Sequence, residues 1–279
     1  MFINFWYPAI ESAQLTDRPV KVRMLGCEFV LFRDAARAPH CLANTCVHRG
    51  GSLGDGRIVA DAIECPYHGW RYDGAGICRR IPSLGPQARI PGRARVDSYG
   101  VQEKYGLVFA FLGDLPDAER PPLQTVTEWE QDGWRGTWTT YIWEANIERA
   151  VENSLDAVHN EFVHPNQGDR GERADYRVPD VEIRESEWGA EGHMLMYAPP
   201  IREGGLRNLR TAAGHMQAAT GHRGPNQLWN QLHLTATNWM HMYQFAVPID
   251  AGRSRFWLLT MRNSWLQPDV DARFNERNT

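Results

Sequence analysis

Two short segments, Cys46-Val-His48 and Cys65-Pro-Tyr-His68, separated by 16 residues, constrain this chain more than anything else in it. Two soft thiolates and two imidazoles on paired loops form a complete four-ligand metal site, and on ligand chemistry alone that site suits a structural zinc ion as well as an iron centre. The cysteines are unevenly placed. All five (Cys27, Cys41, Cys46, Cys65, Cys78) fall in the first 78 residues, whereas nine of the eleven tryptophans lie after residue 128. An odd number of thiols argues against a disulfide framework and for reduced cysteines, some of them metal ligands.

The flanking residues narrow the choice. Cys46-Val-His48-Arg49-Gly50-Gly51 and Cys65-Pro-Tyr-His68-Gly69-Trp70-Arg71 resemble the paired ligand loops of Rieske [2Fe–2S] domains, in which two Cys hold one iron and two His the other. The resemblance implies that Cys46, His48, Cys65 and His68 bind a [2Fe–2S] cluster. Loop glycines then permit close backbone approach and φ > 0 turns around the sulfurs. Arg49 reads as a structural brace, and Cys27, Cys41 and Cys78 as small buried hydrophobes. The respiratory-type relatives carry a disulfide between positions taken here by Gly51 and Tyr67, and a serine hydroxyl bonded to the cluster where this chain has Trp70. Without those supports the expected reduction potential lies at the low end of the Rieske range, about −150 mV.

The 279 residues leave room for about two domains. From Val20 to Leu112, short apolar runs such as Phe29–Phe32, Ile58–Ala60 and Gly106–Leu112 alternate with turn signals at Gly50-Gly51, Asp73-Gly74 and Pro91-Gly92, the pattern of an all-β domain. The polar, proline-rich stretch from Gly113 to Pro122 suits an interdomain linker, which divides the chain into 1–115 and 116–279. Beyond it, apolar residues at Trp143, Ile147, Ala150, Leu155, Val158 and Phe162 predict one amphipathic helix from Trp143 to Val163, stopped by Pro165. Met194–Ala198, Met240–Pro248 and Arg255–Met261 read as strands. The expected class is α+β: an N-terminal all-β domain followed by an antiparallel sheet with helices, of helix-grip type.

The predicted helix carries a second constellation, Asn153, Asp156, His159 and His164. Asn153, Asp156 and His159 recur every three residues, drawing a buried polar stripe along one side. Two histidines five residues apart sit about 140° apart on a regular helix, so both can face one metal only if the helix ends or bulges near His164. A buried polar stripe needs partners, and a metal supplies one. Two His with one carboxylate form the facial triad of non-haem Fe(II) oxygenases. The segment Glu152 to Pro165 is similar to the Asn-x-x-Asp-x-x-His-x-x-x-x-His motif of the Rieske non-haem iron oxygenases, and the resemblance extends over essentially the whole chain.

That resemblance implies several roles. His159 and His164 are ligands of a mononuclear Fe(II). Asp156 bonds a cluster histidine, His68, of a neighbouring subunit and bridges electron transfer, and Asn153 lies near the iron. A homotrimer follows, because the family's shortest cluster-to-iron route crosses a subunit interface. The third iron ligand, an Asp, is expected a few residues after Thr279, so either the chain is truncated or Asp271 or Glu276 takes its place.

The remaining expectations concern substrate and partners. Asn230, His233, His241 and Gln244, among many aromatic rings, are candidates to orient a small aromatic or cyclic substrate. No nucleotide-binding glycine motif is present, so electrons come from a separate NAD(P)H-dependent reductase, directly or through a ferredoxin. The family implies that O₂ is the co-substrate and that the outcome is hydroxylation or O-demethylation of an aromatic acid. With a net charge of −4 and no Lys/Arg run, nucleic acid is not an expected partner. No apolar stretch is long enough to span a bilayer, and the amino terminus lacks a basic region followed by an apolar core, so a cytoplasmic protein is expected. Two rivals remain: a Rieske electron carrier without a working mononuclear iron, and a zinc-stabilised binding module.

Overall fold

A computed structural model describes residues 2–156, 159–164, 172–201 and 210–278. The chain divides into two compact units, Met1–Pro121 with Val247–Arg253, and Pro122–Ala246 with Ser254–Thr279.

The first unit is built from short strands: β1 Phe5–Glu11, β2 Val20–Met24, β3 Cys27–Arg33, β4 Pro39–Ala43, β5 Arg57–Val59, β6 Ala62–Glu64, β7 Arg71–Asp73, β8 Cys78–Arg80, β9 Ser98–Tyr99, β10 Val101–Lys104 and β11 Leu107–Leu112. They pair into three sheets, β1-β11-β10, β2-β3-β4-β9 and β5-β6-β7-β8. The continuous apolar run in β11 is buried at every position because this strand is the middle one of its sheet. Asp73 closes the β7–β8 hairpin by accepting from the N–H groups of Ala75 and Ile77 at 3.0 and 2.9 Å. The proline-rich stretch after β11 is not loose. Trp6 Nε1 donates to Pro121 O at 2.9 Å, and the Arg120 guanidinium lies 4.5 Å from the centre of the Phe111 ring.

The second unit is one seven-stranded antiparallel sheet. Its strands are β12 Arg135–Trp143, β13 Val181–Ser186, β14 Gly189–Ala198, β15 Gly214–Arg223, β16 Gln227–His233, β17 Trp239–Pro248 and β18 Ser254–Arg262, in the order β12-β18-β17-β16-β15-β14-β13. The expected α+β class holds, with helices α1 Ile147–Leu155, α2 Asn160–Val163 and α3 Pro268–Asn278.

Both longer helices lie on one face of this sheet. Side chains alternate along a strand, so the register fixes which ones share a face. Ile147 and Ala150 of α1 pack with Ala246 and Phe256, and Tyr141, paired with Phe256 across β12–β18, joins them. On the same face Thr137 donates to Asn275 of α3 at 2.5 Å, and the fully buried Arg262 pairs with Asp271 and lies over the Phe274 ring.

The single helix expected from Trp143 to Val163 is corrected. Trp143 ends a strand, and Asn146 caps α1 by accepting from Arg149 N–H at 2.9 Å. Asp156 then turns extended (φ −76°, ψ 106°) and ends α1 one residue after Leu155. Val158 and Pro165 lie outside the described residues.

Candidate metal centres and the sheet face beside them

The two cysteine–histidine loops are built alike. Cys46 N–H donates to Gly51 O (2.9 Å) and Gly50 N–H returns to Cys46 O (2.9 Å); Cys65 N–H donates to Trp70 O (2.8 Å) and Gly69 N–H returns to Cys65 O (3.0 Å). In each loop the glycine four residues after the cysteine is left-handed, with φ +71° at Gly50 and +69° at Gly69. Gly51 is demanded by space instead. A Cβ there would lie 2.9 Å from Cys65 Sγ and 3.3 Å from Tyr67 Cβ. That proximity explains how a disulfide can join these two positions in relatives with cysteines there.

The loops bring the four predicted ligands together. Cys46 and Cys65 are both 2 % exposed, and the His48 and His68 rings stand 4.5 Å apart at 70°. Trp70 stacks on His48 at 4.6 Å with the rings 5° from parallel. His48 Nδ1 is buried without a hydrogen-bond partner, and burial, with the charges of His68 and Arg49 adding, holds this imidazole below its usual range. Burial, with Cys46 beside it, pushes the Cys65 thiol up. Two buried thiols and an imidazole nitrogen that lacks any other partner are what a metal cluster resolves, since it takes deprotonated sulfur and neutral imidazole. The residues present fit a [2Fe–2S] group.

Tyr72 was absent from the sequence reading. Its hydroxyl lies 3.1 Å from Cys46 Sγ, and burial, with Cys46 adding, pushes its pKa up, so it stays protonated and can donate to the sulfur once Cys46 is a thiolate. The signal was its inward place in β7, seven residues after Cys65. One expectation is corrected: Cys27 is exposed at the β2–β3 turn, while Cys41 and Cys78 are buried; Arg49 is exposed.

The second constellation sits where α1 breaks. His159 opens α2 with helical dihedrals and His164 closes it in an extended conformation (φ −109°, ψ 101°), so the chain direction changes on both sides of the pair. This brings the two rings to 5.7 Å between centroids. Burial, with His159 adding, draws the His164 pKa down, and His159 Nδ1 is buried with no hydrogen bond. Asp156 Oδ2 approaches that nitrogen at 3.5 Å, close enough for Coulomb attraction but not aligned as a hydrogen bond. An unsatisfied imidazole nitrogen facing a second histidine fits two ligands of one metal ion. The buried polar stripe does not form: Asn153 and Asp156 are exposed, because α1 turns Ile147 and Ala150 rather than these residues toward the sheet. Among the described residues no three His, Cys, Asp or Glu side chains converge on a single ion. Asp271 is engaged by Arg262, and Glu276 is exposed on α3.

The four substrate candidates separate onto opposite faces. Pairing of Asn230 with Met242 and of Leu228 with Gln244 puts Asn230 and Gln244 on one face, and pairing of Gln231 with His241 and of His233 with Trp239 puts both histidines on the other. Ser154 Oγ of α1 donates to Gln244 Oε1 at 3.2 Å, so the Asn230–Gln244 face is the helix-bearing one. It also carries an apolar cluster of Met194, Met196, Met216, Ala218 and Leu232. On the far face His241 Nδ1 lies 2.5 Å from Glu128 Oε1, and Tyr243 donates to Glu128 Oε2 at 2.7 Å. Burial alone would raise the Glu128 pKa; the bonds from His241, Tyr243 and Thr127 outweigh it and hold the carboxyl at about 2. Glu128 escaped the sequence reading because it stands in the irregular stretch before β12.

Two family models match. Residues 5–99 match the Rieske [2Fe–2S] domain, and residues 143–279 match the vanillate O-demethylase oxygenase C-terminal domain. The chain belongs to the Rieske oxygenases. Among this family's curated members, the chain is 31 % identical over 246 residues to chlorophyllide a oxygenase of Chlamydomonas reinhardtii, covering 83 % of this chain and 35 % of that protein. It is 29 % identical over 197 residues to the 5,5'-dehydrodivanillate O-demethylase oxygenase subunit of Sphingobium sp., covering 67 % and 45 %. Dicamba monooxygenase bound to dicamba has the same fold, with a TM-score of 0.78 at 20 % identity over 96 % of this chain and 80 % of that one. The Rieske oxygenase chain described here spans between about a third and a half of the curated relatives it matches.

Proposed function

We propose that this chain is the oxygenase component of a multi-protein system that uses O₂ and reductase-supplied electrons to hydroxylate or O-demethylate a small aromatic or cyclic substrate in the cytoplasm. The observation that carries the reading is the His159–His164 pair, held at a helix break in a chain that also bears a Rieske ligand set. Cys46, His48, Cys65 and His68 would hold the cluster, and His159 and His164 the mononuclear iron. When bound, these groups supply one-electron storage and dioxygen activation.

The chain's own residues do the rest. Stacking on Trp70 fixes the plane of His48, and the Tyr72 hydroxyl donates to Cys46 Sγ. Asn230 and Gln244 stand on the helix-bearing face with the methionine cluster, which supports a substrate with a flat apolar body and a polar handle. His233 and His241 occupy the opposite face; His233 lines a cavity with Met194 and Ala218, and both histidines stay candidates to orient the substrate. Asp156 and His68 are both exposed on the single chain, which supports their meeting across a homotrimer interface, and Asn153 keeps a place beside the iron ligands.

Iron and acid-labile sulfide analysis with an electron paramagnetic resonance spectrum tests this. The oxygenase holds three irons per chain; two would mean an electron carrier, and zinc without sulfide a binding module. His159→Ala should remove one iron and at least a hundredfold of turnover while the cluster spectrum persists; loss of that spectrum would show the two sites to be misassigned.

A further inference from the structure

Between Arg79 and Arg95 the chain carries five arginines, Arg79, Arg80, Arg89, Arg93 and Arg95, and no acidic residue. Prolines and glycines space them, so they make no contiguous run in the sequence. The fold sets Arg79 and Arg80 beside Arg93 and Arg95. Cys78 N–H donates to Ala94 O at 2.9 Å and Ile77 bridges to Arg95, which lays residues 78–80 of β8 alongside residues 93–95. All five are exposed. Among the described residues Arg79 is paired with Asp73 at 2.6 Å, and the other four make no ion pair.

This patch adjoins the cluster loops. Cys78, Ile81 and Ala94, which alternate with the arginines, pack in the same core as Cys46 and Cys65. Pro82, two residues after Arg80, lies against the second ligand loop, since a Cβ on Gly69 would sit 3.0 Å from its Cγ. Resting on the oxygenase reading above, we propose that Arg80, Arg93 and Arg95 form the docking surface for an acidic electron-transfer protein. A reduced donor gives up one electron there, becoming oxidised as the cluster gains it.

Interface chemistry favours a transient donor over a second copy of this chain. Permanent subunit contacts are apolar at their centre, whereas unpaired exposed charge serves long-range steering and quick release. Of the exposed large apolar side chains nearby, Val47 and Tyr67 belong to the ligand loops; Leu84 stands within the arginine segment and Ile77 just before it, a minority among its five arginines.

The test uses the whole chain with its cluster and a reduced acidic [2Fe–2S] ferredoxin as probe, mixed in a stopped-flow instrument. For the native protein, cluster reduction should slow at least tenfold between low ionic strength and about 0.5 M salt. Arg80→Glu/Arg93→Glu/Arg95→Glu should slow it at least tenfold at low salt and weaken binding of the oxidised ferredoxin to the same degree. Replacing the same three residues by Lys should restore both. Reduction by an uncharged photoreductant and the elution volume should not change. A native rate with the Glu variant would overturn the proposal, as would a shift in elution volume, which would assign the arginines to a contact between copies. A chain with no photoreducible cluster would fail earlier, on the oxygenase reading itself.

Discussion

Tyr72 shows how much one hydroxyl can do beside a candidate metal ligand. With Cys46 holding the cluster as proposed, the tyrosine's bond to Cys46 Sγ would stabilise the more negative, reduced state, a direction shared by every hydrogen bond to cluster sulfur. Tyr72→Phe should lower the reduction potential by some tens of millivolts, on the order of one hydrogen bond's worth of free energy, and leave the visible spectrum intact. A redox titration of both proteins checks it. The bond also revises the inference drawn from the missing serine and disulfide, because one support for the sulfurs remains. The four candidate cluster ligands could be picked out in the sequence because ligand type and loop spacing are local properties. Tyr72 could not, since its role depends on a neighbour 26 positions away.

At the level of elements, the irregular segment before β12 is held to the sheet by a buried carboxylate. Glu128 accepts from His241 and Tyr243 of β17, and Trp134 lies 5.1 Å from His241 between ring centres. Glu128→Gln should destabilise the fold by about 2–3 kcal/mol at pH 7, since two donors lose a charged acceptor in a dry site. The sign with pH follows from the depressed pKa. The native carboxylate contributes its stability fully above its ordinary value of 4.5 and loses it as the pH falls toward 2, so the gap between the two proteins should close over that window. Urea unfolding at pH 7, 5 and 3.5 measures it. The helix holding the histidines teaches a related lesson. Apolar spacing marked its amphipathic face correctly at Ile147 and Ala150 but ran through the break at Asp156, because periodicity records which side is buried and not whether the chain turns.

For the molecule as a whole, the proposed trimer makes Asp156 a residue whose purpose lies outside its own chain. Light scattering should give three copies, and Asp156→Asn should keep both metals while slowing turnover about 10- to 100-fold, the usual cost of altering a group that orients a metal ligand. Full activity in that variant would remove the bridging role. What the amino-acid order determined by itself was chemistry carried within a few residues: the paired Cys/His loops, the two-histidine segment, and the division between a cysteine-bearing front and a tryptophan-rich rear. Tertiary structure alone decided which of these groups meet. Strand register placed Asn230 and Gln244 on the helix-bearing face and His233 and His241 on the other, and a strand pairing at Cys78 and Ala94 set Arg79 and Arg80 beside Arg93 and Arg95. The physical reason is that a side chain's face depends on the parity of its strand position, and no composition or spacing along the chain reports which distant strand lies opposite.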